Sequence, residues 1–237
     1  MGLKVIIRDL FADKIEKLDI KCVKCDFWFD YNSEGLLKAI SNVKSISEVK
    51  ELLQGKLFEK DYSKASQEKL AVFQNKGGMV KGAFKERKCV GVLFAGDYRL
   101  FPKLKSFKVF PPDPKSIFLG CIYVEPAQRE LGIEKRLLIE LEKDLLKKKA
   151  VSIETTAKRL NDDIDEDEFE NSPLISFKFL INNGFYLKKN DEHYPLLRLD
   201  LQSIAKDFVK EELTLEKLAD ALELMGEQKG IKYNITN

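Results

Sequence analysis

Apolar residues recur along the chain with two spacings, one typical of strands and the other typical of helices. Alternating or continuous apolar runs predict strands at residues 3–8, 21–29, 79–86, 88–98, 116–124, 151–157, 185–190 and 196–201. Apolar positions three or four residues apart predict helices at residues 33–42, 47–57, 66–74, 173–182 and 215–225, and from residue 133 onward. The order of these segments predicts a mixed α/β fold, in which a hairpin precedes a parallel strand-helix-strand unit.

The segment that follows the predicted hairpin carries the clearest functional signal. Residues 116–124 are apolar on both alternating faces, which favours a central strand that is covered on two sides. Pro126 ends this strand, because proline lacks the N–H that a strand ladder needs. A helix then begins at Ile133, with charged residues on one face and apolar residues on the other. The apolar face consists of Ile133, Leu137, Leu138, Leu141 and Leu145.

The turn between this strand and this helix is suited to hold an anion. The first N–H groups of a helix have no intrahelical acceptor, and the helix dipole favours negative charge at this end. Gly132 lets a ligand approach the backbone closely, and Lys135 and Arg136 lie near enough in sequence to serve a further phosphate. A pyrophosphate matches several converging amide donors. A plain strand-to-helix turn, with glycine for tight packing, is the alternative.

Residues 124–137 resemble the acetyl-coenzyme A motif of the GNAT superfamily of N-acyltransferases, whose pattern is V-x-P-x-x-R-G-x-G-I-G followed by a leucine-rich helix. The residues that match in register are Val124, Pro126, Arg129, Gly132, Ile133 and Leu137. Two residues depart from the motif: Glu130 stands where glycine is usual, and Glu134 replaces the second small residue of the signature. A carboxylate in the first helical turn suits the helix dipole, but it repels a pyrophosphate unless its side chain points away.

The resemblance implies a GNAT-like mixed, mostly antiparallel central sheet flanked by helices, with a parallel strand-helix-strand coenzyme A unit. It also implies an N-acetyltransferase, which moves an acetyl group from acetyl-CoA to an amine by direct attack in a ternary complex. A backbone N–H of residues 122–124 would then polarise the thioester carbonyl. The residues implied in coenzyme A binding are Ile122, Val124, Arg129, Glu130, Leu131, Gly132, Ile133, Glu134, Lys135 and Asn171. A non-catalytic GNAT-fold module that binds coenzyme A or a peptide is the alternative.

Residues 171–185 resemble the closing element of the GNAT fold. Ser172 is the expected N-cap of its helix and Pro173 the first helical residue, and glycine follows the helix end. Many GNAT members place a tyrosine here that reprotonates the departing thiolate, but this chain has Leu180 or Lys178 at that position, depending on which end is aligned. The general acid and base therefore stay unassigned.

Three side chains are candidates for the missing proton transfers. Glu154 is a lone carboxylate within the strand after the motif, and burial would raise its pKa toward that of a base for an amine. A solvent-facing Glu154 without a catalytic role is the alternative. Tyr186 and Tyr123 are candidates because the chain could bring either of them close to the thioester.

Two segments bear on the acceptor amine, which is a small molecule or a peptide. The proline-rich residues 101–115 enter the coenzyme strand directly and could wall an acceptor site, or could form a plain surface connection. The acidic residues 162–168 fall in the connection that lies beside the acceptor groove in the resembling fold. An acidic run there would attract a cationic acceptor such as a polyamine, unless it is only a solvated loop.

Composition narrows the classes of protein to which the chain can belong. Lys and Arg number 41 against 39 Asp and Glu, a formal net charge of +2, so no global field draws the protein to nucleic acid or to a membrane. No apolar run is long enough to span a bilayer and no signal peptide is recognised, so we expect a soluble cytoplasmic protein. Cys22 and Cys25 have the C-x-x-C spacing of redox and zinc sites, but no second pair accompanies them and we expect no metal.

The predicted elements of the GNAT-like domain end at residue 201. Residues 202–237 form a C-terminal extension with a predicted helix that begins after Thr214 and has one apolar face. This face either covers the chain's own sheet or joins a second subunit in a homodimer, and the sequence leaves both open.

Overall fold

The computed structural model describes residues 5–11, 18, 20, 25, 27–29, 66–160 and 172–203 of the 237-residue chain. In chain order, the strands and α-helices of this part are β1 (Ile6–Asp9), α1 (Ser66–Asn75), β2 (Met79–Lys85), β3 (Lys88–Gly96), β4 (Ile117–Val124), α2 (Ile133–Lys147), β5 (Ser152–Lys158), β6 (Ile175–Ser176), α3 (Phe177–Asn182), β7 (Tyr186–Lys189) and β8 (Leu196–Asp200). Except at residues 27–29 and at the start of the closing helix, the predicted strands and helices of this part are present in the predicted order.

These strands form one eight-stranded sheet with the order β1-β2-β3-β4-β5-β8-β7, and β6 pairs with β5 off this path. The pairs β4–β5 and β5–β6 are parallel, and the remaining pairs are antiparallel. Helix α2 connects the parallel strands β4 and β5. The expected mixed, mostly antiparallel sheet with a parallel strand-helix-strand unit is confirmed.

Each face of the sheet carries its own hydrophobic core. The first core contains Phe73 of α1, Trp28, Phe101 and Phe118 of β4. The second core contains the buried stripe of α2 and Leu180 of α3. Because side chains alternate across a strand, neighbouring residues of β4 and β5 point into different cores. We call these two sides of the sheet the aromatic face and the α2 face.

Helix α2 packs as its sequence predicts. Its apolar stripe is buried at all five predicted positions, Ile133, Leu137, Leu138, Leu141 and Leu145. Two further contacts fix the helix on the sheet at β1 and β2. The Lys81 ammonium of β2 lies 2.8 Å from Asp9 of β1 and also bonds Asp144 of α2. Arg136 donates from Nη2 to the backbone carbonyl of Val5 at 2.6 Å.

Two local predictions are wrong. Ser172 and Pro173 do not begin the closing helix, because the chain first adds the short strand β6 to the edge of β5 and α3 starts only at Phe177. Residues 27–29 form a turn rather than the end of a strand. This turn inserts Trp28 into the aromatic core, where its indole N–H donates to the carbonyl of Gly120 at 2.8 Å.

Several predictions lie outside the described residues. These are the helices at residues 33–42 and 47–57, the acidic residues 162–168, Asn171, Cys22, and the C-terminal extension beyond residue 203. Within the described part, no helix combines the length and the apolar character needed to cross a membrane. The described part likewise contains no cluster of His, Cys, Asp and Glu side chains that could hold a metal ion.

Candidate active site

Strands β4 and β5 pair at their beginnings and then separate. Their parallel register includes only two pairs, Ile117 with Ile153 and Phe118 with Glu154. Strand β4 continues to Val124 and β5 continues to Lys158, yet no described strand pairs with this edge of β4 beyond Phe118. The sheet therefore contains a gap between the ends of two parallel strands.

A β-bulge in β4 lies at the point where the gap opens. Phe94 of β3 faces Cys121, whereas the next residue, Ala95, faces Leu119, so that Gly120 is an extra residue in β4. A bulge bends the strand that carries it, which turns the end of β4 away from β5. A Cβ on Gly120 would lie 2.3 Å from a ring carbon of the buried Phe101, so only glycine fits this bend.

The backbone of β4 turns two of the predicted coenzyme-binding residues toward the gap. The Glu125 N–H donates to the carbonyl of Val90 at 2.9 Å, which directs the backbone groups of Glu125 and Tyr123 toward β3. By the same alternation, the N–H groups of Ile122 and Val124 face the opposite edge, where β5 has departed. These two amides can bind a ligand that lies in the gap.

The chain after β4 forms a turn that exposes further amide groups. A short 3-10 helix at Pro126–Gln128 leads to Glu130 and Gly132, which both adopt positive φ, 63° and 70° respectively. Left-handed backbone favours glycine, so the structure shows why the resembling motif has glycine at both positions and why Glu130 is strained there. Residues 129–132 are all exposed, and the Leu131 side chain is 59% exposed.

Helix α2 begins without a side-chain cap. Gly132 is its N-cap residue, and the first backbone hydrogen bond runs from the Arg136 N–H to the Gly132 carbonyl at 3.1 Å. The amides of residues 132–135 precede this bond and have no acceptor within the helix. Together with the preceding turn they form the predicted anion-binding segment.

The charges around this segment are mixed. Arg136 already binds the Val5 carbonyl through one nitrogen, so only part of its guanidinium can serve a phosphate. Lys135 is exposed, and Glu134 lies half-buried in the first turn of the helix. The helix dipole favours the Glu134 carboxylate, but that charge competes with an anionic ligand for the same amides.

Two buried hydroxyls lie on β5 beside the gap. Thr155 and Thr156 occupy the positions between the last residue that pairs with β4, Glu154, and the first that pairs with β6, Ala157. Both side chains are fully buried, and neither hydroxyl oxygen has a hydrogen-bond partner. A buried hydroxyl without a partner carries a desolvation cost, which makes these two groups binding candidates for a polar ligand.

The two threonines belong to opposite faces of the sheet. Thr155 pairs with Leu197 of the α2 core, and Thr156 pairs with Leu196 of the aromatic core. On the other side of the gap, Ile122 and Val124 pack in the α2 core and Tyr123 packs in the aromatic core. The gap therefore has one buried threonine on each face of the sheet.

A cavity of about 690 Å³ opens on the aromatic face at the end of β5. Its walls come from residue 27, from residues 103–108, from residues 172–174 that precede β6, and from the loop between β7 and β8. The lining residues are Phe27, Lys103, Ser106, Phe107, Lys108, Ser172, Pro173, Leu174, Asp191, His193 and Tyr194. Residues 103–108 of the proline-rich segment thus wall a cavity, and the use of this cavity as an acceptor site stays a prediction. His193 lies in the β7–β8 loop.

Glu154 lies at the start of the gap and is fully buried in a charged network. Its Oε1 accepts hydrogen bonds from Arg198 at 3.0 Å and from Lys188, and its Oε2 accepts one from the Asp113 N–H at 2.9 Å. The Ser116 hydroxyl donates a further bond to Oε1 at 3.1 Å. These contacts hold the side chain in place and favour a structural role. A role for Glu154 as general base stays a prediction.

The tyrosine candidates differ in position. The Tyr186 hydroxyl donates to Asp200 at 2.8 Å, and burial together with this hydrogen bond raises the pKa of the phenol. Tyr186 lies on β7, away from the gap, whereas Tyr123 lies on β4 at the gap and on the face of the cavity. Of the two residues that align with the usual tyrosine, Leu180 is fully buried in the α2 core and Lys178 is exposed.

Sequence reasoning missed three residues that shape this site. Gly120 carried a weak signal, since an isolated glycine in an apolar strand often marks a bulge. Thr156 carried no signal, because threonine is common in strands and its missing partner is visible only in the folded chain. Tyr194 carried no signal, because only the packing of the β7–β8 loop on Phe107 brings it to the cavity.

The chain is similar to several solved structures. The PaiA N-acetyltransferase from Thermoplasma acidophilum, in complex with coenzyme A, is 17% identical; the match covers 84% of this chain and 99% of that chain, with a TM-score of 0.47. A GNAT-family acetyltransferase from Staphylococcus aureus Mu50 is 16% identical, with coverages of 84% and 99% and a TM-score of 0.45. One from Listeria monocytogenes 4b F2365 is 14% identical, with coverages of 84% and 96% and a TM-score of 0.45.

No protein-family model and no curated protein sequence matches this chain. The observed strand order, the parallel β4–α2–β5 unit and the gap between β4 and β5 are independent of sequence identity. This mixed, mostly antiparallel sheet with its parallel β4–α2–β5 unit is the architecture that the resemblance to the GNAT superfamily implies.

Proposed function

We propose that this chain is an N-acetyltransferase that transfers an acetyl group from acetyl-CoA to a primary amine by direct attack in a ternary complex. The observation that carries the proposal is the separation of β4 from β5, which leaves the amides of Ile122 and Val124 on an open edge. The same strand leads directly into the uncapped start of α2. A single extended ligand with a pyrophosphate at one end can contact both.

The residues present fit coenzyme A. The amides of residues 132–135, which have no acceptor within α2, would hold the pyrophosphate, as helix N-termini commonly do. Ile122 and Val124 would bind the amide-containing arm through their backbone, and Thr155 offers a hydroxyl on the α2 face. Asn171, which the resemblance implied in binding, lies outside the described residues. Glu130 and Glu134 are the two unfavourable carboxylates of this segment, and each can be tested directly.

The chain's own groups account for part of the chemistry. Bound acetyl-CoA would supply an acetyl group activated as a thioester. The N–H of Ile122 or Val124 would donate to the carbonyl oxygen as negative charge develops on it, which is a stabilisation that backbone amides provide well. As the amine nitrogen forms its bond to the acetyl carbon, the C–S bond breaks and the amine releases a proton. Tyr123 is our candidate for the proton donor to the thiolate.

Binding and turnover can be measured separately. Acetyl-CoA should raise the melting temperature, because a ligand that binds only the folded state stabilises it by mass action. It should also shift the backbone amide signals of residues 130–134. Release of free thiol from acetyl-CoA should then depend on an added amine. No thermal shift and no signal changes at millimolar acetyl-CoA would contradict the proposal.

A second function is favoured by one observation: the usual tyrosine is replaced by the buried Leu180 or by the exposed Lys178, depending on which end of the element is aligned. A non-catalytic module would keep the coenzyme site without the proton donor. Acetyl-CoA binding without thiol release across a broad amine panel would support this alternative, whereas amine-dependent thiol release would exclude it.

A further inference from the structure

The cavity on the aromatic face has walls of two kinds. Aromatic and aliphatic side chains form its body, with the rings of Phe107 and Tyr194 packed edge to face at 5.4 Å. Its volume of about 690 Å³ is in the range that small-molecule sites occupy. A cavity of this kind favours a ligand with a ring or a branched apolar body over a thin hydrophilic chain.

The charges of the cavity walls are unequal. Lys103 and Lys108 line the cavity, and the nearby Lys158 donates to the carbonyl of Ser172 at 3.0 Å. Among the described lining residues, the one carboxylate is that of Asp191. Its Oδ1 accepts hydrogen bonds from the backbone amides of Tyr194 at 2.8 Å and His193 at 3.1 Å. Burial by itself would raise the pKa of Asp191, but these bonds lower it below its ordinary value. The surplus of ammonium groups favours an anionic substituent on the ligand.

Thr156 lies beside the gap, on the same face of the sheet as this cavity. It shares the aromatic face of β5 with Lys158, and Lys158 reaches the cavity wall at Ser172. The Arg159 N–H donates to the His193 carbonyl, on the side of β5 that faces β8. Because backbone groups alternate between the two edges of a strand, those of Thr156 face the gap. Its buried, unpartnered hydroxyl therefore lies beside the gap, two residues along the same face of β5 from the side chain that reaches the cavity wall.

We propose that the cavity binds a primary alkylamine that carries an aromatic ring, with a carboxylate at the far end of the ring. We propose further that the Thr156 hydroxyl holds the attacking nitrogen. The inference rests on the proposed function, because it assigns the acceptor of the same reaction. Thr156 acts as a positioning residue: its oxygen accepts one N–H of the amine, so that the nitrogen lone pair faces the acetyl carbon. A hydroxyl that is unpartnered in the free protein gains its partner when the amine binds.

The first test uses isosteric variants. Thr156→Val removes the hydroxyl at nearly constant volume, and Thr156→Ser keeps it. We expect T156V to raise the KM for the amine about tenfold, the size of one hydrogen bond to a charged or polar group. We expect the KM of T156S for the amine to stay within about threefold of the wild-type value. Thr155→Val is the matched substitution on the opposite face; because Thr155 is a candidate coenzyme A contact, any effect should fall on the KM for acetyl-CoA and not on the KM for the amine.

The melting temperature separates positioning from a structural role. Since the hydroxyl has no partner, T156V should melt at the same temperature as the wild type or higher. A rise in KM without a loss of melting temperature supports the inference. An unchanged KM, or a loss of melting temperature that accounts for the loss of activity, would overturn it.

The second test compares acceptors that differ in one feature. We expect 4-(2-aminoethyl)benzoate to be acetylated with a higher kcat/KM than phenethylamine, and phenethylamine with a higher one than butylamine. The double variant Lys103→Gln, Lys108→Gln should abolish the difference in kcat/KM between 4-(2-aminoethyl)benzoate and phenethylamine. It should keep the difference between phenethylamine and butylamine. Spermidine tests the cationic acceptor that the acidic residues 162–168 suggest. A kcat/KM for spermidine above that of both ring amines would overturn the inference.

Binding without acetyl-CoA keeps the two proposals distinguishable. Calorimetry with 4-(2-aminoethyl)benzoate alone should show binding that weakens about tenfold in T156V. If this binding is seen while no amine is acetylated, the acceptor inference holds and the acetyltransferase proposal fails. If acetyl-CoA is turned over with other amines and this ligand does not bind, the inference fails alone.

Discussion

The Arg198 guanidinium lies 3.0 Å from the Glu154 carboxylate, and the two residues face each other across β5 and β8. Arg198 also reaches Asp113 at 3.0 Å and Asp200 at 2.6 Å, while Lys188 bonds Glu154 from β7. These contacts raise the pKa of Arg198 despite its partial burial, so that it stays charged. The network joins β5, β8, β7 and the loop before β4 at the point where the gap begins.

Glu154→Gln should lower the free energy of unfolding by about 3 kcal/mol, because it leaves two cations beside a buried neutral group. Urea unfolding measures this change. Asp200→Asn is the matched control, since Asp200 is partly exposed and its loss should cost about 1 kcal/mol or less. If folded E154Q retains the pH–rate profile of the wild type, Glu154 is structural. Loss of the acidic limb of that profile would instead identify Glu154 as the base.

Glu130→Gly should stabilise the fold by up to about 1 kcal/mol, because glycine adopts the positive φ of this position without strain. Thermal unfolding measures the change. Glu130→Ala removes the same charge but keeps a Cβ, so it should not raise the stability of the fold as Glu130→Gly does. Equal stability of the two variants would show that the backbone at residue 130 is not strained.

Glu134→Gln should lower the Kd for coenzyme A about two- to fivefold, since it removes a negative charge from the anion-binding turn. The gain should shrink at high salt, which screens charges at this exposed site. Glu140→Gln is the control on the same helix, where Glu140 pairs with Lys143 at 3.0 Å. If calorimetry gives both variants the wild-type Kd, the Glu134 side chain points away from the ligand.

Gly120→Ala should lower the free energy of unfolding by roughly 1–3 kcal/mol, because the new Cβ meets the ring of Phe101 in a packed core. Urea unfolding measures the change. Phe101→Leu is expected to destabilise the wild type, but to cost less in the G120A background, since the smaller side chain makes room. A double-mutant cycle without such coupling would contradict the role assigned to this contact.

Stability should fall between about pH 4.5 and pH 7 because of Glu142. Burial raises the pKa of this α2 carboxyl to about 7, opposed by the charge of Lys135. The folded state therefore holds a proton that the unfolded chain releases near pH 4.5, and the free energy of unfolding declines as pH rises through this window. The total loss is roughly 3 kcal/mol.

Glu142→Gln should remove this decline. The measurement is the difference in unfolding free energy between the wild type and E142Q at several pH values, which cancels the titration of other groups. Glu140→Gln, which changes an exposed carboxylate of the same helix, should keep the wild-type slope. A constant difference between the wild type and E142Q from pH 4.5 to pH 7.5 would contradict the prediction.

Local patterns determined much of this fold. The buried stripe of α2, the hairpin of β2 and β3, and the turn at Gly132 follow from spacing and from glycine within a few neighbouring residues, so they could be predicted. The start of α3 could not, because Ser172 and Pro173 have the chemistry of a helix start. Here the pairing of β6 with β5 outweighs the local preference.

By itself, the sequence determined the order of strands and helices and the position of the anion-binding turn, because both depend on contacts between near neighbours in the chain. Only the tertiary structure decided the place of Glu154 in a charged network, the opening of the gap at Gly120, and the unpartnered hydroxyl of Thr156 beside the gap. Each of these depends on strand register and on contacts between residues far apart in sequence. A one-residue shift of register would move every such side chain to the other face of the sheet.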